Sequence, residues 1–309
     1  MLSRAYFDNI HPQYPFLHRD TFQSWETEVM DAKDAGDLGI ASHLTLFFVL
    51  MVYAIGSLIT TRGGYDAAET YYTAAQEHIE HVLQMDSVES IQAILCCAMY
   101  SIRSPVGASV WRLSGMALRH CVELGYHRHI RRPRPARDFL TAEMTKRVFW
   151  VAYDMDRAAA FTLGRPFGIM DKDIDVGLPL DVDDSAVTHA GLTSQPRSSP
   201  SDPPTSMSGA IHIIRLRRIW SKIHENLYPG ISSTANAGHQ RDVTKEIRRD
   251  LDSCAINKDG SLYPQTAGEE NTQEEHAPSE LLTMDDWMTG IDMTDFPGGM
   301  EWLLENASG

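Results

Sequence analysis

The 309-residue sequence has no lysine or arginine after Lys258. Residues 259–309 carry 12 acidic side chains, whereas residues 1–258 carry 30 acidic against 27 basic ones. The net charge of −15 therefore divides into a nearly neutral body and an acidic tail. Over the whole chain, a charge of that sign argues against a bare nucleic-acid or anionic-membrane binder. Cysteine is scarce. Cys96, Cys97, Cys121 and Cys254 are the full set, and no two stand at C-x-x-C spacing, so a metal hook is excluded. The first three lie in apolar helical patterns and read as buried free thiols in a reducing compartment. No secretory leader is expected, because Met1 to Ile10 mixes Arg4 and Asp8 with apolar residues. The one dense apolar run, Leu44 to Ile59, is 16 residues long and contains Thr45, Gly56 and Ser57. A membrane span needs about 20 residues, so the run reads as a buried core helix and no membrane partner is expected. The phosphate loop, the dinucleotide glycine fingerprint and the G-x-S-x-G elbow are all missing, and the chain is expected not to be an enzyme.

What remains is helical patterning, and the fold class expected is all-α. Pro12 and Pro15 break a short first segment, and Arg19 to Met30 can be helical. The apolar run follows and stops before Arg62-Gly63-Gly64. Asp66 with Glu69, and Asp86 with Glu89, have the capping spacing. They open two helices, Asp66 to Leu83 and Asp86 to Ile102, joined by a tight turn and packed antiparallel. Val110, Leu113, Ala117, Cys121 and Leu124 predict a third helix from Ser109, ended by Gly125. Another starts near Asp138 or Thr141 and ends at Leu163-Gly164, with Pro166 barring continuation. Twenty of the 29 residues in 181–209 are Asp, Ser, Thr, Pro or Gly, which predicts a disordered linker. Helix resumes over Ile213 to Leu227, and a weaker one spans Arg241 to Ser253. The expected organisation is a helical domain at 1–180, the linker at 181–209, remaining helices at 210–256 and an acidic tail at 257–309.

Four sets of residues are candidates for function. Val148 to Phe161 is apolar on every helical face, and such a helix is buried. Arg147, Asp154, Asp156 and Arg157 must then be paired, because an isolated buried charge is very costly. With Arg165 on the exit turn, they form either a packing network or an anion pocket that a ligand disturbs. Arg128, Arg131, Arg132, Arg134 and Arg137 crowd a stretch that Pro133 and Pro135 keep from being helical. That stretch is a solvated connection, a nuclear import signal or a phosphate contact. The basic helix with Arg215, Arg217, Arg218 and Lys222 has the same ambiguity. In the tail, Met284, Trp287, Met288 and Ile291 share a helical face among acids, followed by Phe296, Trp302 and Leu303. Such a segment folds into a partner's groove or packs on the chain's own core. Two metal readings are weak. Asp171-x-Asp173-x-Asp175 lacks the glycine and glutamate of a calcium loop, having Val176 and Val182 there instead. His78 and His81 lack a third ligand.

Trp111-Arg112-Leu113-Ser114-Gly115-Met116-Ala117-Leu118-Arg119 continues to Leu124-Gly125-Tyr126-His127-Arg128. Further on stand Lys146-Arg147-Val148-Phe149-Trp150, Asp156-Arg157, Leu163-Gly164-Arg165-Pro166, Asp171, Asp173-Ile174-Asp175 and Leu178-Pro179. Together with Tyr6-Phe7, His11-Pro12, Pro15-Phe16-Leu17-His18, Phe22 and the Ile214–Ile223 helix, these runs resemble the fungal-specific transcription factor domain. That domain is the middle homology region of fungal zinc-cluster regulators, and the resemblance covers about residues 5–228. It implies an all-helical regulatory domain of a nuclear transcription regulator that restrains or tunes activation, with small-molecule sensing as one route. Many such regulators control metabolic or secondary-metabolite gene clusters. The family's DNA-reading module, a six-cysteine two-zinc cluster, has no counterpart in this sequence. No cofactor is therefore expected in this chain, and zinc only with such a module. DNA is expected to be reached indirectly or through that module, and the transcription machinery through the acidic tail. Homo- or heterodimers are in keeping with the resemblance. An alternative reading is a ligand-sensing or inhibitory partner that heterodimerises with full-length regulators.

Overall fold

A computed structural model describes residues 1–60, 65–105, 107–129, 138–199, 201–227, 245–247 and 249. All lie in one unit, Met1–Ala255, and the second unit, Ile256–Gly309, falls outside the described residues. The described helices are α1 (Leu2–Asn9), α2 (Arg19–Asp34), α3 (His43–Thr60), α4 (Tyr65–Gln76), α5 (Ile79–Leu83), α6 (Val88–Arg103), α7 (Val110–Glu123), α8 (Phe139–Thr162) and α9 (Ser208–Leu227). Short 3₁₀ turns at Leu38–Ile40, Asp171–Asp173 and Asp184–Ala186 and a two-residue hairpin, β1 (Val187–Thr188) and β2 (Gly191–Leu192), complete the described part.

Local chemistry sets several helix ends. The Asp138 carboxylate accepts hydrogen bonds from the Thr141 amide at 3.0 Å and the Thr141 hydroxyl at 2.6 Å, satisfying donors that the first turn of α8 leaves open. Gly125 and Gly164 adopt φ of +74° and +60°, a left-handed turn that a side chain would strain, and there α7 and α8 stop. The expected helix over 66–83 is broken in two. The Glu77 and His78 amides bond back to Ala74 and Ala75, a tightened turn that re-aims Ile79 and Val82 into the core. Ser87, not Asp86, precedes α6 as its N-cap.

Two helices centre the core. α3 packs against α1, α2, α4 and α6 and buries Phe47, Phe48, Val49, Met51, Val52 and Ile55. Its length and composition alone would suit a membrane crossing, yet most of it is buried inside the protein. At Gly56 a Cβ would stand 2.3 Å from the Leu2 carbonyl oxygen, so only glycine lets α1 approach this closely. α8 packs against α6, α7 and α9 and is buried all round from Val148 to Tyr153. Its last turn departs from expectation: Phe161 is 41% exposed and leans on Trp220 of α9, with ring centroids 4.8 Å apart.

The segment expected as a disordered linker is folded over its described residues, 181–199 and 201–209. Val182, Ala186, Val187 and Met207 are buried. Asp202 accepts from the amides of Ser198 and Ser199, and Asp181 accepts from the hydroxyls of Thr205 and Ser208. The physical reason is that Ser, Thr and Asp bond readily to nearby backbone and to each other. A composition rich in them serves an ordered turn network as well as a mobile chain.

Candidate functional site

The buried charges of α8 singled out in the sequence are paired in three separate places, each with a partner from elsewhere in the chain, although Nε and Nη2 of Arg147 find no hydrogen-bond partner among the described residues. In the first, Arg147 Nη1 donates to Asp184 Oδ1 at 2.5 Å, with both side chains buried. Asp184 Oδ2 accepts the Arg19 amide at 2.9 Å and stands 3.1 Å from His11 Nε2. Burial would raise the Asp184 carboxyl, but His11, Arg147 and the Arg19 amide hold it far below the usual carboxylate range. One aspartate thereby ties His11 just after α1, Arg19 of α2 and Arg147 of α8 to the turn at Asp184–Ala186.

In the second, Arg217 of α9 donates Nε to Asp154 Oδ1 at 2.6 Å. The side chains are 5% and 3% exposed, so this is a buried ion pair. The Arg217 guanidinium also lies 4.1 Å from the Trp220 ring centroid. Burial pushes the Asp154 carboxyl up, and Arg217 pulls it only part of the way back.

The third is built on Arg157. Its Nε donates to Ser221 Oγ at 2.7 Å, Nη1 to Asp156 Oδ2 at 3.2 Å, and Nη2 to the Ile169 carbonyl at 2.5 Å and Asp171 Oδ1 at 3.0 Å. The rings of Tyr153 and Phe167 each lie 4.2 Å from the guanidinium. Asp156 is raised by burial, against the Gly168 amide and Arg157. Gly168 donates its amide to Asp156 at 2.9 Å, and a Cβ there would come within 2.9 Å of Leu118. Glu143 adds a fourth tie, accepting the Leu180 amide at 2.7 Å.

The expected network is thus paired, as burial demands, but not within itself. Only Asp156 and Arg157 meet each other. Arg165 stands apart, its guanidinium 4.3 Å over the Trp111 ring. Arg217, grouped in the sequence with basic surface residues, is a buried partner. Its neighbours in that group face outward: Arg218 lies 3.7 Å from Asp171 and Lys222 3.2 Å from Glu246. Composition hid Asp184 inside the supposed linker. A signal for Arg217 did exist, since Ala210, Ile214, Arg217 and Ser221 follow helical spacing on the buried face of α9.

Of the basic stretch, Arg128 is exposed and lies 3.8 Å from Asp175. Arg131, Arg132, Arg134 and Arg137 lie outside the described residues, as do Met284, Trp287, Met288, Ile291, Phe296, Trp302 and Leu303. The Asp171, Asp173, Asp175 run does not form a calcium cradle. Asp171 serves Arg157 and Tyr153, and Asp175 accepts the His129 amide. Tertiary packing brings His43 to the His78, His81 pair, with Nδ1 atoms of His43 and His78 2.9 Å apart and His81 stacked on His43. Even so, among the described residues no group of three or more His, Cys, Asp or Glu side chains is arranged to hold a metal. The described cysteines do not suit zinc. They are sealed in α6 and α7, and burial pushes the Cys97 thiol up to about 12.

The fungal specific transcription factor domain matches residues 4–255, most of the sequence and nearly all of the folded part just described. The chain belongs to this family. Its relatives bear regulatory names. A positive regulator of purine utilization from Emericella nidulans is 26% identical over 285 residues, covering 73% of this chain and 26% of that protein. Pyrimidine pathway regulatory protein 1 of Saccharomyces cerevisiae is 30% identical over 214 residues, 68% of this chain and 24% of the relative. An ascochitine biosynthesis cluster transcriptional regulator from Didymella fabae is 27% identical over 188 residues, 58% of this chain and 31% of the relative. The chain spans about a quarter of the length of the first curated relatives it matches. No solved structure matches it. The fungal specific transcription factor domain therefore includes the segment 181–209 and α9, and the buried charge pairs lie wholly within it.

Proposed function

We propose that this chain is the regulatory part of a nuclear transcription regulator that controls a metabolic or biosynthetic gene cluster. The observation that carries the reading is that the family match and the buried charge pairs span the same folded unit. Relatives named for purine use, the pyrimidine pathway and ascochitine synthesis support the metabolic target. In this reading α8 is a fixed post. The Asp184 turn, the loop at Ile169–Asp171 and α9 are each latched to it by charge. Buried pairs of this kind are weak net stabilisers but strongly penalise loss of one partner. A bound effector or partner that competes for one of these charges would then release one segment without unfolding the rest. Zinc and direct DNA reading are assigned to a six-cysteine module outside this chain. The acidic tail, with Trp287 and Trp302, is assigned the contact with the transcription machinery. No catalytic role is proposed.

The tail is tested by fusing residues 280–309 to a foreign DNA-binding domain in a reporter strain. Activation that falls in Trp287→Ala/Trp302→Ala supports the assignment. Silence of the wild-type fusion, or activation indifferent to the double substitution, rejects it.

A further inference from the structure

The segment 181–209 is built from hydroxyls and carboxylates, with Arg197 as its one lysine or arginine. Within it the sequence runs Arg197-Ser198-Ser199-Pro200. A serine followed by proline is what a proline-directed protein kinase accepts, because such an active site receives a pyrrolidine ring in place of a backbone N–H. Ser199 is partly exposed.

The turn around it is held by an anion. Asp202 Oδ2 accepts the Ser199 amide at 2.9 Å and the Ser198 amide at 3.1 Å. The Asp202 amide donates back to the Ser199 carbonyl at 3.0 Å, and Ser199 Oγ accepts the Ser201 amide at 3.2 Å. The amides of Ser199 and Ser198 keep Asp202 ionised by lowering its pKa.

From this turn a chain of contacts runs to the start of α9. The Asp202 carbonyl accepts Arg197 Nε at 2.9 Å, and Arg197 Nη1 reaches Ser208 Oγ at 3.4 Å. Ser208 also donates to Asp181 Oδ1 at 2.7 Å, which accepts Thr205 Oγ1 as well. Ser208 opens α9, and α9 delivers Arg217 to Asp154 and Ser221 to Arg157.

We propose that Ser199 is a phosphorylation site for a proline-directed kinase, and that the phosphoryl group loosens the start of α9. In the transfer, Ser199 Oγ attacks the γ-phosphorus of ATP. The O–P bond to serine forms, the bond to the β-phosphate oxygen breaks, ADP leaves, and the hydroxyl proton passes to the kinase's base. The product carries about −1.5 to −2 at neutral pH. It stands against the ionised Asp202 within the same turn, and repulsion opens the Asp202 bridge. The phosphoryl oxygens also compete for the Arg197 guanidinium, which they bind in a charge-assisted pair. Arg197 is thereby drawn from Asp202 and Ser208, and the start of α9 loses a tie. This inference does not depend on the transcriptional reading, because both of its readouts are made on purified protein.

The test is to incubate the 309-residue chain with magnesium ATP and a cyclin-dependent or mitogen-activated kinase. Phosphate is then mapped by peptide mass, and amide hydrogen exchange is followed over Ser208–Leu227. The expected result is phosphate on Ser199 in the wild type, none at that position in Ser199→Ala, and exchange in the first turns of α9 accelerated about threefold or more only in the phosphorylated wild type. Kinase-treated Ser199→Ala is the control for general unfolding, and should exchange like the untreated protein. Phosphate on Ser104, the other serine before a proline, with none on Ser199 would overturn the site. Phosphate on Ser199 with unchanged exchange in α9 would overturn the coupling.

Discussion

Arg217→Met removes one half of the pair that joins α9 to α8, and its consequences follow from the geometry. Methionine keeps an unbranched stem to fill the slot beside Trp220, so the change is mainly one of charge. Arg217 and Asp154 are 5% and 3% exposed, and the bond between them is 2.6 Å. Orphaning a buried partner in this way costs about 3–5 kcal/mol. For a domain of this size each kcal/mol moves Tm by about 2–4 °C, which gives a fall of about 6–20 °C. The pH dependence has a definite sign. The Asp154 carboxyl is already raised in the folded protein, by burial that Arg217 only partly offsets. Without Arg217 it rises further. A carboxyl whose folded pKa lies above its unfolded value contributes stability below the unfolded pKa, and that contribution is lost as pH rises through the folded pKa. The variant's deficit should therefore be smaller at pH 5 than at pH 8. Asp154→Leu/Arg217→Met removes both charges and should recover most of the loss, since buried pairs are often replaceable by apolar residues. Urea unfolding of the wild type, single and double variants at both pH values measures all of this. A single variant within about 1 kcal/mol of wild type, or an equal deficit at the two pH values, would refute the argument.

Three further outcomes are expected. Arg157→Ala should destabilise by about 3–5 kcal/mol in the same urea assay, and Arg157→Lys should fail to restore stability, because a point charge cannot serve Ser221, Asp156, Ile169 and Asp171 together. Gly56→Ala should cost about 1–3 kcal/mol by calorimetry, since its Cβ would meet the Leu2 carbonyl oxygen at 2.3 Å and force α1 away from α3. Asp138→Ala should lose about 1 kcal/mol of cap stabilisation. Hydrogen bonds from the Thr141 hydroxyl and amide lower the Asp138 pKa to about 2, so the cap is fully present above the unfolded pKa near 4 and lost as pH falls through 2. Wild type and variant should therefore converge in acid, as read from thermal melts.

The helical ends and the burial of α8 were legible because their causes are local or periodic. The Asp138 carboxylate caps α8 from three residues before the Thr141 amide, and the glycines at 125 and 164 stop helices by backbone freedom, whereas the same spacing at Asp86 did not make it the cap of α6. The all-round apolar run from Val148 to Tyr153 can lie nowhere but in the core. From that burial it followed that Arg147, Asp154, Asp156 and Arg157 needed partners. Which partners they took was not legible. Asp184, Arg217 and Asp171 come from different segments, and their choice depends on how the chain after α8 folds back over it.

The same division explains the segment 181–209. Its composition describes how well each residue tolerates water, not whether its hydroxyls and carboxylates find one another. Only the fold places Asp181 beside Ser208 and Asp184 beside Arg147, turning residues typical of a linker into the clasp of α9. The sequence by itself determined the class of fold, several helix ends and the division of charge between a balanced body and an acidic tail, because these rest on near-neighbour sterics, capping and periodic burial. Tertiary structure alone decided which charges are latched together, because electrostatic pairing in a low-dielectric core is set by distance in space and not along the chain.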